Sequence, residues 1–208
     1  MKANIKKEML IILVLIISIN FVLAAETFNY VISNSENWKD TFSALHYANL
    51  KGVPSAFLVS TLGGTMVLDS ISKTSNIKVI TSKKNPYVFN YHDLIKSKGF
   101  AGAEEVTIDN ANVDLMNDLA DINSFVIVGD SYGFNAIAVV PYAVLTKSWI
   151  FLANKQNIYT IDSILSKIID KKILVYGFVD REVTDALSKY NPEAINTGDK
   201  FKDNIEIV

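Results

Sequence analysis

Gly129-Asp130-Ser131 closes the apolar run Phe125-Val126-Ile127-Val128 and opens a helical pattern. A serine placed there could act as a nucleophile only with a histidine base to take its proton. The two histidines, His46 and His92, both lie upstream, and His46 falls opposite Pro141 in an internal repeat. Asp130 and Ser131 therefore read as helix caps, as do Ser35 and Asn37 earlier in the chain. Paired carboxylates give no better case, because Asp40, the acid best placed at a helix start, falls opposite Asn135. No spacing holds two acids on either side of one bond. Two histidines 46 positions apart, no cysteine and no Asp-x-Asp-x-Asp-Gly loop provide no metal set. Neither glycine-rich phosphate motif occurs, and Gly63-Gly64 reads as a plain turn. The expectation is a chain with no catalytic residues, no metal and no cofactor.

Recognition is the remaining chemistry. Trp38 and Tyr132 lie near two strand-to-helix turns, and ligands of open α/β sheets gather outside the carboxyl ends of the strands. The candidate ligand-binding set is Asn34, Ser35, Asn37, Trp38 and Asp40 at the first turn, with Glu36 beside them, and Asp130, Ser131, Tyr132 and Asn135 at the second. The competing reading is structural: Trp38 packs under its turn and the polar residues cap helices.

The elements that must position these residues occur twice. Tyr30-Val31-Ile32 followed by 42–50 is answered by Phe125-Val126-Ile127 followed by 137–145, and both Tyr47 with Tyr142 and Leu50 with Leu145 are 95 positions apart. The apolar run Ala56-Phe57-Leu58 is matched to Ile150-Phe151-Leu152. A duplicated module marks an array whose surface carries its function. In the first copy, strands are expected at 30–33, 55–59, 77–81 and 105–108, with helices at 38–50, 65–72 and 91–98. In the second, strands are expected at 125–128, 149–153, 173–176 and 194–196, with helices at 132–145, 160–169 and 182–189. Asn37 with Asp40 imitates a capping box, and Gly52 ends the first helix where a left-handed residue is wanted. Strands separated by helices demand crossovers, so the fold class is α/β: two tandem, pseudo-symmetric β-α-β-α lobes with small, mainly parallel sheets. The division is 26–108 for the first repeat, 109–123 for an Asn/Asp-rich connecting segment with a short helix at 113–119, and 124–208 for the second.

The composition bounds the rest. The chain has 208 residues, half of them apolar, and a formal net charge of -2, so no nucleic-acid surface is indicated. Without cysteine, stability must come from packing. Lys2, Lys6 and Lys7 precede an apolar run from Met9 to Val22, and Val22-Leu23-Ala24-Ala25 supplies small residues before Glu26. Residues 1–25 thus read as an export signal, the competing reading being membrane anchoring through residues 9–25. In both readings the remainder is exported, to the cell surface or the medium.

One block carries a family resemblance. Glu36-Asn37-Trp38-Lys39-Asp40-Thr41-Phe42-Ser43-Ala44-Leu45, then Ala48-Asn49-Leu50-Lys51-Gly52-Val53-Pro54, then Phe57-Leu58-Val59, resembles the cell-wall-binding repeat of type 2. The second copy keeps Asn135-Ala136-Ile137-Ala138 and Tyr142-Ala143 but lacks the acid and the Pro before its strand. Ile195-Asn196-Thr197-Gly198-Asp199-Lys200-Phe201-Lys202-Asp203 is similar to that family's joint between repeats, with a fainter version at 106–114. The resemblance implies non-covalent attachment of a non-enzymatic surface protein to an envelope polymer, a cell-wall or surface polysaccharide, or to a surface-layer protein. Family arrays usually carry three repeats, whereas this chain has two and the opening of another, so the resemblance implies that the missing lobe comes either from a longer chain or from a neighbouring copy in a homo-oligomer. The alternative from architecture alone is a two-lobed extracytoplasmic solute-binding protein, whose mark would be a deep cleft between the lobes lined by Trp38, Tyr132 and the capping polar residues.

Overall fold

The computed structural model describes residues 28–207, so the expected export signal at 1–25 lies outside the described residues. The first lobe runs β1 (Tyr30–Asn34), α1 (Trp38–Lys51), β2 (Ser55–Phe57), α2 (Gly63–Asp69), β3 (Asn76–Ser82), α3 (Tyr91–Ser97) and β4 (Gly102–Ile108). A joint follows, made of α4 (Ala111–Asp114) and a 3-10 turn over Leu115–Asp118. The second lobe runs β5 (Ser124–Gly129), α5 (Gly133–Leu145), β6 (Trp149–Ala153), α6 (Ile158–Leu165), β7 (Lys172–Tyr176), α7 (Arg181–Leu187), β8 (Glu193–Ile195) and α8 (Lys200–Glu206).

The two sheets have one topology. Their strand orders are β2-β1-β3-β4 and β6-β5-β7-β8, and every pairing is parallel. The chain is thus α/β, with two tandem lobes of matching topology. Val31 pairs with Ser55 and Val126 with Ile150, so the 95-position offset holds through the first two strands of each copy. It also corrects one match: Phe57 corresponds to Leu152, not to Phe151. The shared phenylalanine is a coincidence of composition one residue out of register, and a one-residue slip would turn every side chain to the other face.

Local chemistry explains the elements. The Asn37 side chain accepts from Lys39 N–H at the start of α1, and Gly52 takes the left-handed conformation (φ 70°) at its end. β6 is buried along its whole length, as a strand covered on both faces must be. Helices α2 and α3 cover one face of the first sheet through Leu68, Tyr91 and Ile95. Helix α5 covers one face of the second through Ala136, Val139 and Ala143. The remaining faces share one core, in which Ala44 and Tyr47 of α1 join Leu115 and Met116 of the joint and Trp149 and Phe151 of β6.

The connecting segment thus buries one side, through Ala111, Asn112, Leu115, Met116 and Leu119, and leaves most of its Asn and Asp residues at the surface. Its helix begins at Ala111, two residues before the expected 113, because the Asn110 side chain caps it by accepting from Asn112 N–H. Lys78 on β3 reaches Asp118 at 2.8 Å, and the Tyr47 hydroxyl donates to the same carboxylate at 3.3 Å. Burial pushes the Tyr47 hydroxyl up to about 12.

Candidate functional site

The two strand-to-helix turns differ in what covers them. At the first, Asn34 is fully buried: its side chain donates to Val88 O at 2.7 Å and accepts from Val88 N–H at 3.0 Å. Glu36 N–H donates to Asn85 O at 2.9 Å. The loop of residues 83–90 is thereby drawn over the carboxyl ends of β1 and β3. Ser35 is buried as well, donating to Asp40 at 3.0 Å, while Asn37 serves as the cap of α1. This turn is occupied by its own chain.

At the second turn the segment after β7 is only Gly177 to Asp180, and a groove of about 390 Å³ stays open. Ser131, Tyr132 and Asn135 line it together with Gly129, Phe178 and Asp180. Tyr132 is 81 % and Phe178 77 % exposed, so two aromatic side chains stand free beside a floor of Gly129, Ala153 and Val179 with Ser131, Asn135 and Asp180 as its polar groups. The floor depends on small residues. A Cβ on Gly129 would lie 2.8 Å from Phe178 O, and one on Gly177 (φ +69°) would lie 2.5 Å from Asn135 Nδ2. Gly129→Ala should therefore push the 177–180 turn outward and lower stability by about 1 to 3 kcal/mol, the usual range for overpacking. Thermal unfolding checks it, and an unchanged midpoint would mean that the turn yields freely.

The other candidate residues belong to the seam between lobes. Lys39 pairs with Asp130, and Asn154 Nδ2 donates to the same carboxylate at 2.6 Å. Asp40 accepts from Ala111 N–H at 3.1 Å as well as from Ser35. Trp38 lies against the first turn of α5, with ring atoms 3.5 Å from where a Cβ on Gly133 would sit. The recess here is about 230 Å³, and neither Trp38 nor Tyr132 lines it. Of the nine predicted residues, three meet at the open groove, while Asp40, Asp130 and Trp38 hold the lobes together. Asn34, Ser35 and Asn37 order the first turn. Phe178 and Asp180 join the groove from outside the predicted set, and Phe178, two residues past the end of β7, is an aromatic beside a strand end as Tyr132 is.

His46 does not serve the groove. It is 2 % exposed, its ring stacks on Trp149 with centroids 5.4 Å apart, and Nε2 lies 2.9 Å from Ser148 O. A carbonyl can only accept, so the neutral ring carries its proton on Nε2 and leaves the buried Nδ1 without a partner. Desolvation lowers its pKa to about 4, against the opposing hydrogen bond to Ser148. Ser148 precedes the amino end of β6, whereas Ser131 follows the carboxyl end of the parallel neighbour β5. The length of a five-residue strand, about 17 Å, separates the two, so His46 cannot take a proton from Ser131.

No protein-family model matches the chain, and no curated protein matches it. Among solved structures, its fold is similar to that of Cwp8 from Clostridium difficile, with a TM-score of 0.67 over 86 % of this chain at 15 % identity. The chain spans 33 % of the length of that protein. At this identity the likeness is one of fold alone.

Proposed function

We propose that the chain is an exported, non-enzymatic cell-surface protein that holds an envelope polymer, a cell-wall or surface polysaccharide, or else a surface-layer partner. The observation that carries this reading is the groove at the carboxyl ends of β5 and β7, flanked by exposed Tyr132 and Phe178. Ring faces are negative and sugar C–H bonds present positive hydrogens, so free aromatic rings beside Ser131, Asn135 and Asp180 suit a saccharide chain lying across the groove. The likeness in fold to a cell wall protein supports the same role. A small-molecule receptor would need the interlobe recess instead. That recess is below the usual ~300 to 1,000 Å³ of ligand sites, and Asp40 and Asp130 in it are already hydrogen-bonded.

Co-sedimentation of the full chain with purified envelope polysaccharide tests the proposal. Tyr132→Ala combined with Phe178→Ala should weaken pelleting at least tenfold, about 1.4 kcal/mol, while leaving the fold intact because both residues are exposed. Equal pelleting of parent and variant would remove the groove as the site. Absence of pelleting by the parent on every envelope fraction would sink the adhesive role.

A further inference from the structure

The seam between the lobes is a template, and both of its halves recur, largely exposed, on the outer faces of the two lobes. Inside the seam, α1 and α4 meet the edge strand β6: Asn112 donates to Ile150 O at 2.8 Å and accepts from Leu152 N–H at 2.8 Å, and Lys39 pairs with Asp130. Helix α5 repeats α1 95 positions on, and α8 repeats α4 89 positions on. The second match is local in detail, since Asp199 caps α8 by accepting from Phe201 N–H as Asn110 caps α4 by accepting from Asn112 N–H. Phe201 thus stands where Asn112 does, Ile205 where Met116 does, and Phe134 where Lys39 does.

Their surroundings are reversed. Asn112 and Met116 are 4 % and 6 % exposed, whereas Phe201 and Ile205 are 68 % and 77 % exposed. At the opposite end of the molecule β2, the edge strand of the first sheet, repeats β6. There Phe57 stands for Leu152, Val59 for Asn154 and Leu62 for Asn157, and all three are exposed. The changes are matched across the two faces. At the rim of the internal seam Lys39 and Asn112 stand with Asn154 and Asn157, whereas the matched outer positions carry Phe134 and Phe201 on one face, with Lys200 lying over both rings, and Val59 and Leu62 on the other. Contiguous exposed apolar side chains mark an interaction surface, and here the complementary surface is carried by the same chain.

We propose that the α5/α8 face of one copy docks on the β2 edge of a second copy, head to tail, reproducing the interlobe seam with an apolar contact. The two faces differ, so the contact is heterologous and each pair leaves one face of each kind free for a further copy.

Sedimentation velocity of the full chain over a range of concentrations tests this, with Phe201→Asp and Phe57→Asp each blocking one face. The parent should form assemblies that grow with concentration, and each variant alone should be shifted toward the single chain. An equimolar mixture of the two variants should restore a pair and nothing larger, because each keeps the face the other lacks. The apolar run at 9–25 is common to all three proteins, so association driven by it cannot produce that pattern. Parent and variants sedimenting alike would overturn the proposal, as would a mixture no heavier than its components. Phe201→Ser and Phe57→Ser supply a second pair should an aspartate perturb folding.

Discussion

Asn112→Ala is expected to lower the stability of the chain by about 3 kcal/mol or more. The Asn112 carboxamide takes the place of a neighbouring strand: it donates to Ile150 O and accepts from Leu152 N–H, the outward groups of the edge strand β6, and it also donates to Ser43 Oγ at 3.1 Å. Alanine leaves a buried donor and a buried acceptor without partners, at about 1 to 3 kcal/mol each. It also uncovers a strand edge that is otherwise closed to other chains. Because Asn112 ties α4 to the second lobe, denaturant unfolding should lose cooperativity as well, with the lobes separating before either melts. Asn112→Asp keeps the acceptor for Leu152 but turns an oxygen toward Ile150 O, so it should not rescue. A loss below about 0.5 kcal/mol with a single transition would show that the seam does not depend on this side chain.

The second large effect is a dependence on pH set by His46. Its pKa is lowered from 6.5 to about 4 in the folded chain, chiefly by desolvation. Between those values the unfolded chain binds the proton and the folded chain does not, so acid favours unfolding. The contribution is complete above about pH 6.5, shrinks by roughly 1.4 kcal/mol per pH unit on acidification, and has lost on the order of 3 kcal/mol by pH 4. Asp118 and Asp162, whose carboxyls are held below the ordinary range by Lys78 and Lys189 against burial, act mainly at more acidic pH. His46→Phe should retain the stacking against Phe42 and Trp149 while removing the proton site. The variant would lose the hydrogen bond to Ser148 at neutral pH, yet its stability should be flat from pH 6.5 to 4.5. An equal slope in parent and variant would assign the acid sensitivity elsewhere.

Much of this architecture is written in local sequence. Period and capping are local: Asn37, Gly52 and the apolar runs of β1, β3, β5 and β7 specify helices and buried strands from neighbours a few positions away. Repetition of that local code at 95 positions was sufficient for two parallel α/β lobes. The slip at Phe57 arose because identity of residue type pulled the match one position away from the pairing of Ser55 with Val31.

Legible in the residues alone are the alternation of elements, their doubling, and Tyr132 with Ser131 and Asn135 beside a strand end. Which turn is open follows only from long-range packing. The loop at 83–90 is long enough to fold back, and Asn34 supplies two hydrogen bonds to Val88, 54 positions away, whereas the four-residue turn at 177–180 cannot cover its groove. Such packing alone placed Trp38, Asp40 and Asp130 in the seam and buried Asn112 together with Ala111, Leu115, Met116 and Leu119 of the connecting segment. The reason is one of range. A side chain's partner across 40 to 90 positions leaves no trace in local periodicity, and a polar residue destined for a buried hydrogen bond looks the same in sequence as one destined for water.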